Sequence, residues 1–140
     1  MFRLLRDARI VTHTNQSAMP LEAVIVKDSP CLGPYSHAMK ANGFLFVSGQ
    51  LGMKDGKLPA TIEEQTEQAL LNLGNVLKAG GSDYNKVAKT TVCLKNIGDF
   101  NKMNEVYAKF FTENKPARIC CEVARLPKDA LVEIEAVAIE

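Results

Sequence analysis

Residues 115–140 read KPARICCEVARLPKDALVEIEAVAIE, and the fold turns on how this stretch is divided. Ile119 to Ala124 is rich in β-branched and small apolar residues, Leu126-Pro127-Lys128-Asp129 is turn material, and Leu131 to Ile139 is a second run of Val and Ile. The pattern predicts two strands joined by a tight turn. Four charges interrupt it: Arg118, Glu122, Glu133 and Glu135. Side chains alternate along a strand, so Arg118, Cys120 and Glu122 share one face, and Glu133 and Glu135 share another. An Arg with carboxylates beside apolar strands is either a structural ion pair, the commoner case on periodicity alone, or a grip for an anionic ligand.

Working outward, Asp99 is placed to cap a helix running to about Thr112, with Phe100, Met103, Tyr107, Phe110 and Phe111 on its apolar face. Asn104 falls on the edge of that stripe, where a buried amide is either a satisfied core residue or part of a polar pocket. Lys86 to Leu94 reads as a strand. Upstream, Thr61-Ile62-Glu63-Glu64 has the form of a capping box, and Ile62, Thr66, Ala69, Leu70, Leu73, Val76 and Leu77 make one helical stripe ended by Gly80-Gly81. Ser36–Lys40 and Phe44–Ser48 flank an Asn42-Gly43 turn and predict a hairpin, and Ala23–Val26 predicts a short strand. The order is β-β-β-α-β-α-β-β. It predicts an α+β domain with a mixed six-stranded sheet and two helices on one face, leaving the other face to be covered by a partner.

The chain has 140 residues, 46% hydrophobic and 24% charged, with a formal net charge of +1. That is one ordinary globular domain with no global field for nucleic acid or membrane, and no apolar run long enough to span a bilayer. The four Cys, at 31, 93, 120 and 121, form no CxxC and have no His at ligand spacing, which points to reduced thiols and away from a disulfide framework or a zinc site. Residues 1–21 differ from residues 22–140. They carry Arg3, Arg6 and Arg9 with Asp7 as the acid of the first twenty residues, and drawn as a helix they put Leu4, Leu5, Ala8 and Val11 on one side. An organelle transit peptide and a plain N-terminal tail are both open readings, and with them a cytoplasmic or a mitochondrial location.

Pro116-Ala117-Arg118, Glu122 to Asp129 and Glu133-Ile134-Glu135-Ala136, together with Gly33-Pro34-Tyr35-Ser36, Val47-Ser48-Gly49-Gln50 and Met103 to Tyr107, resemble the signature segments of the reactive intermediate deaminase family (Rid, or YjgF-type). The resemblance runs from about Glu22 to Glu140. It implies a chorismate-mutase-like fold, a homotrimer whose sheets close into a central barrel with clefts between subunits, and no metal or cofactor. It also implies an activity: hydrolysis of reactive 2-imino acids, by-products of pyridoxal-phosphate enzymes, to 2-keto acids and ammonia. On the matching positions, Arg118 grips the substrate carboxylate and Glu133 is the base for water. Cys120 contributes at the catalytic end, and Tyr35, Ser48, Gly49 and Asn104 line the ligand site. A guanidinium suits a carboxylate because its planar fork binds bidentately, and a carboxylate suits the removal of a proton from water.

Each of these residues also has a structural reading. Tyr35 after Gly-Pro can be a loop anchor, Gly49 at a strand end can mark a bulge, and Cys120 beside Arg118 can act through its thiol or only its backbone carbonyl. His37 stands where the family has Gln and is given no chemistry, and Leu51-Gly52 replaces the family's apolar-Pro pair. Two rival functions remain open from residues alone. One is a 2-keto-acid-binding regulatory module, which has no need of Glu133 as a base. The other is nucleic-acid processing, which the absence of Trp and of a basic stripe argues against.

Overall fold

The computed structural model describes residues 20–140. The reading of residues 1–21 as a leader therefore falls almost wholly outside the described residues. The elements are β1 (Glu22–Val24), β2 (Ala38–Ala41), β3 (Phe44–Leu51), α1 (Ile62–Ala79), β4 (Val87–Leu94), α2 (Phe100–Tyr107), β5 (Ala117–Glu122) and β6 (Val132–Ile139), with short 3₁₀ turns between several of them. They form one six-stranded sheet in the order β1-β2-β3-β6-β4-β5. Only β4 and β5 are parallel, and every other pair is antiparallel.

The local chemistry explains the elements. Asn42 and Gly43 both have positive φ, 51° and 79°, the backbone a two-residue hairpin turn demands, and they set the register of β2 against β3. The Thr61 hydroxyl accepts from the Glu64 N–H at 3.2 Å while the Glu64 carboxylate accepts from the Thr61 N–H, also at 3.2 Å, closing the expected capping box. The whole stripe expected for α1 is buried. It packs with α2 and with Leu45, Val47, Val92, Ile134, Ala136 and Ala138 in one core, so both helices lie on the same face of the sheet.

The opposite face is open. Phe44, Phe46, Ile119 and Ile139 stand on it roughly half exposed, alternating with core positions along their strands. At one end of it, Leu51, Leu126 and Ala130 bury a small second cluster with Met53, Leu58, Cys93 and Val123. Among the described residues no helix is long and apolar enough to cross a membrane.

Two expectations are corrected. Residues 115–140 are not a hairpin: β4 lies between β5 and β6 and pairs with both. Periodicity shows which side chains face the core but not which strand is the neighbour. The central place falls to β4, whose Val87, Thr90, Val92 and Leu94 are all buried, while β5, with Ile119 exposed, is the edge. Residues 123–131 are long enough to step over one strand, since neighbouring strands lie only about 4.8 Å apart. The second correction concerns α2. Asp99 makes no capping hydrogen bond; Asn96 caps a preceding 3₁₀ turn instead, accepting from the Gly98 N–H. The helix ends at Tyr107, and Phe110 and Phe111 pack against Tyr84 from the turns that follow.

Candidate active site

A cleft of about 940 Å³ opens beside the end of β3, a volume suited to a small-molecule ligand. Four of the residues singled out from sequence line it: Tyr35, Ser48, Gly49 and Glu133. The pairing of β3 with β6 breaks register between Val47 and Gln50, so Ser48 and Gly49 form a bulge. The Glu133 side chain lies over that bulge, and a Cβ at Gly49 would collide with its carboxylate. Gly49 thus matters through close approach and not through an unusual φ: a larger residue there would displace the Glu133 carboxylate.

Ser48 ties the opposite wall. Its hydroxyl donates to the Ser36 carbonyl at 2.7 Å, and its N–H donates to the His37 carbonyl at 3.0 Å. The Tyr35 hydroxyl accepts from the Leu32 N–H at 3.2 Å, which folds the 29–36 loop so that a half-exposed ring faces the cleft. Tyr35 is thus both loop anchor and cleft wall. Behind the bulge, the Asn72 amide donates to the carbonyls of Leu51 and Met53, each at 2.9 Å, and pins the end of β3 to α1. The Glu133 carboxyl is raised above its ordinary value, 4.5, first by burial and then by the neighbouring charge of Glu135. A carboxylate shifted in that direction is a better base near neutral pH.

Arg118, Cys120 and Asn104 are elsewhere. β5 is separated from β3 by β6 and β4, a span of three strand spacings or roughly 14 Å. Arg118 also projects from the helix face, whereas Glu133 projects from the open one. Its guanidinium carbon stacks 4.7 Å from the centroid of the Tyr107 ring and 5.6 Å from that of Phe100. Both rings belong to the same face of α2, seven residues apart. The Tyr107 hydroxyl is fixed in turn by a 2.7 Å hydrogen bond with the Thr90 hydroxyl.

The expected alternative of an ion pair between Arg118 and Glu122 or Glu133 is not formed. Glu122 accepts from the Ile97 N–H at 2.8 Å instead, and no described carboxylate lies within salt-bridge distance of Arg118. Its donors are held in place by two aromatic faces and meet no protein acceptor among the described residues, which leaves them free for an anion. Cys120 packs against the main core, and its thiol is pushed up by burial, with Arg118 pulling partly the other way. That direction disfavours a thiolate nucleophile. Asn104 is half-buried at the edge of α2, and no hydrogen bond of its amide appears among the described residues.

Sequence reasoning missed three features. The helical stripe places Phe100 and Tyr107 in the core, and only the register of β5 beside α2 shows them as the platform for Arg118. The Asn72 brace carries no signal in sequence. His37, given no role, is a buried member of the cleft wall in contact with Cys31. Among the described residues no group of three or more His, Cys, Asp or Glu could hold a metal ion.

Residues 26–140 match the model of the family described as endoribonuclease L-PSP. The chain belongs to that family. It is similar to the human 2-iminobutanoate/2-iminopropanoate deaminase, 47% identical over 112 residues that cover 78% of this chain and 82% of the relative. It is also similar to the chloroplastic Reactive Intermediate Deaminase A of Arabidopsis thaliana, 47% identical over 126 residues that cover 87% of this chain and 67% of the relative. Among solved structures, E. coli TdcF with bound serine superimposes with a TM-score of 0.81 at 34% identity, covering 85% of this chain and 98% of that one. The resemblance seen in the signature segments and the α+β fold with its mixed six-stranded sheet both stand on these matches.

Proposed function

We propose that this protein is a hydrolase of carbon–nitrogen bonds that converts reactive 2-imino acids, 2-iminobutanoate and 2-iminopropanoate, to 2-keto acids and ammonia. The observation that carries the reading is Glu133, a half-buried carboxylate with a raised pKa lying over a glycine bulge inside a ligand-sized cleft. A pure binding module gains nothing from such a group. Water adds to the C=N carbon as Glu133 takes one of its protons and passes it to the imine nitrogen, giving a carbinolamine; the carbinolamine hydroxyl then yields its proton, through the same carboxylate, to nitrogen as the C–N bond breaks, the C=O bond forms and ammonia leaves. Imines hydrolyse in water unaided, so positioning and one base suffice.

In this reading the cleft of one chain is half of a site. Arg118, on its aromatic platform, grips the carboxylate of substrate held against the cleft of a neighbouring copy, with Asn104 and the Cys120 carbonyl beside it. Tyr35 shuts out bulk water, while Ser48 and Gly49 hold the far wall. A homotrimer joined through the open faces covers Phe44, Phe46, Ile119 and Ile139 and brings the two halves together. The serine bound by TdcF has the carboxylate and α-nitrogen that such a site would read. Against the family description's ribonuclease name stand a net charge of +1 and a cleft whose Lys27 and Lys54 are balanced by Asp28, Asp55 and Glu133, so no basic track is offered to a phosphate backbone.

The test is to generate 2-iminobutanoate in situ with a threonine dehydratase and follow ammonia and 2-oxobutanoate release with and without the protein. Acceleration supports the reading. Binding of 2-oxobutanoate without acceleration would replace it with the regulatory module. Fusion of residues 1–21 to a reporter distinguishes a mitochondrial leader from a plain tail on a cytoplasmic protein.

A further inference from the structure

We propose that Gln65 and Asn72 of α1 are positioning residues for Glu133, two side-chain amides that hold the strand ends on the cleft side of the base. The role rests on the deaminase reading of the cleft and deepens it.

Glu133 needs support from outside its own strand. Among the described residues no ion pair holds its carboxylate, so its direction is set by the backbone that carries it and by the bulge beneath it. On one side that backbone is well laddered, since β4 pairs with β6 as far as Leu94 and Val132. The cleft side is thin. After the break between Val47 and Gln50, β3 regains register with β6 for two pairs, Gln50 with Ile134 and Leu51 with Glu133, and then ends. Strand ends open locally at little cost unless something ties them.

α1 supplies the tie. Gln65, Gln68 and Asn72 are spaced i, i+3, i+7 and share one side of the helix. Gln65 is only 4% exposed. Its Oε1 accepts from the Leu131 N–H at 2.8 Å, two residues before Glu133, and its Nε2 donates to the Pro59 carbonyl, also at 2.8 Å. The Leu131 carbonyl accepts in turn from the Lys95 N–H at 3.0 Å, so the entry to β6 is held from both sides. Asn72 Nδ2 donates at 2.9 Å to the carbonyl of Leu51, the register partner of Glu133, and at 2.9 Å to that of Met53. Its Oδ1 accepts from Gln68 Nε2 at 2.9 Å, which fixes the orientation of the amide. Between the two carbonyls, Gly52 has no room for a Cβ, which would run into the Gln65 backbone, so α1 rests directly on the exit of β3.

Neither amide takes part in the chemistry. Gln65 does not line the cleft, and both N–H groups of Asn72 are engaged by carbonyls. Their effect is on where the Glu133 carboxylate sits. Without Gln65 the Leu131 N–H loses its buried acceptor and the backbone must shift to find another.

The experiment uses two variants of the full-length protein. Gln65→Met keeps the length of the side chain and removes both of its hydrogen bonds. Asn72→Ala removes the other brace at a half-buried helical position where Ala is favoured, and guards against a Met variant that fails to fold. Each should lower kcat for imine hydrolysis roughly 10–100-fold while 2-oxobutanoate affinity, which depends on Arg118, stays within about twofold. The Glu133 carboxyl, followed by carbon NMR, should titrate closer to 4.5 than in the wild type, because a displaced carboxylate meets more water. In a Glu133→Gln background the same substitutions should cost little further kcat, since two changes acting through one group do not add. An equal loss of kcat on both backgrounds, a Glu133 titration unmoved in both variants, or a fall in 2-oxobutanoate affinity as large as the fall in kcat would each overturn the proposal. Absence of deaminase activity in the wild type would count against the proposed function, and the titration would still decide whether the two amides hold Glu133.

Discussion

The bulge where β3 meets β6 and the edge where β5 meets α2 are built on opposite principles. At the bulge, a carboxylate is enclosed: Glu133 lies on Gly49, is half-buried and is held toward its neutral form by burial and by Glu135. At the edge, a cation is displayed: Arg118 rests on Tyr107 and Phe100 and meets no described carboxylate. The natural partners of charge are thus kept apart, one on each face of the sheet, although both sit on strands of a single domain. A pairing of the two within the chain would have satisfied both and left nothing to act on substrate. In the proposed reading each half is chemically incomplete by itself, and a second copy completes it.

The largest expected effect is on the displayed half. Arg118→Ala should abolish detectable deaminase activity and 2-oxobutanoate binding. Because no ion pair is broken, the cost in stability should be limited to the lost stacking, about 1–2 kcal/mol by thermal melting. Arg118→Lys should recover little, since an ammonium cannot make two parallel N–H···O bonds. A collapsed fold in the Ala variant would mean that Arg118 is structural after all.

A smaller loss is expected at the enclosed half. Glu133→Gln should keep 2-oxobutanoate binding and slow turnover by at most the ~10²–10⁴-fold typical of a general base. The same variant sharpens the comparison through stability. A carboxyl whose folded pKa is raised contributes stability that is present below its unfolded value and lost as pH rises through the folded one. Ionised Glu133 therefore costs stability at neutral pH, and the Gln variant should melt at or above the wild-type temperature there. A lower melting temperature would show that the carboxylate is held by a favourable contact.

The smallest effect is a shift in a profile. If Glu133 must be ionised to act, kcat/KM falls as pH drops through its pKa, on the acid side but above 4.5. Glu135→Gln removes the charge that helps raise that pKa, so the acid limb should move to lower pH with the plateau little changed. A limb that stays put would detach Glu135 from the base.

How much of this was legible in sequence depended on the range of the interaction. The capping box at Thr61, the Asn42-Gly43 turn and the α1 stripe are local, with every partner within a few residues, and each formed as the pattern implied. The 115–140 hairpin did not form, because alternation reports a face and not a neighbour, and β4 comes from far upstream to take the place between β5 and β6. The same gap affects the site. The residue pattern flagged four charges, and the family resemblance singled out Arg118 and Glu133 among them, yet their placement on opposite faces follows from strand order. His37 shows the converse: as a lone histidine it carried no signal, and its meaning came only from the Val26 N–H and the Cys31 sulfur that surround it.

The central claim, that a working site is shared between copies, is tested most directly by mixing two dead variants. Arg118→Ala and Glu133→Gln are unfolded separately, combined in equal amounts and refolded together, then assayed for imine hydrolysis against each variant refolded alone. Random association should give about a quarter of interfaces an intact Arg118 from one copy facing an intact Glu133 from another, and activity should return to about that fraction of wild type. Activity in the mixture no higher than the mean of the two separate variants, with assembly confirmed by sedimentation, would contradict the account and place the site within a single chain.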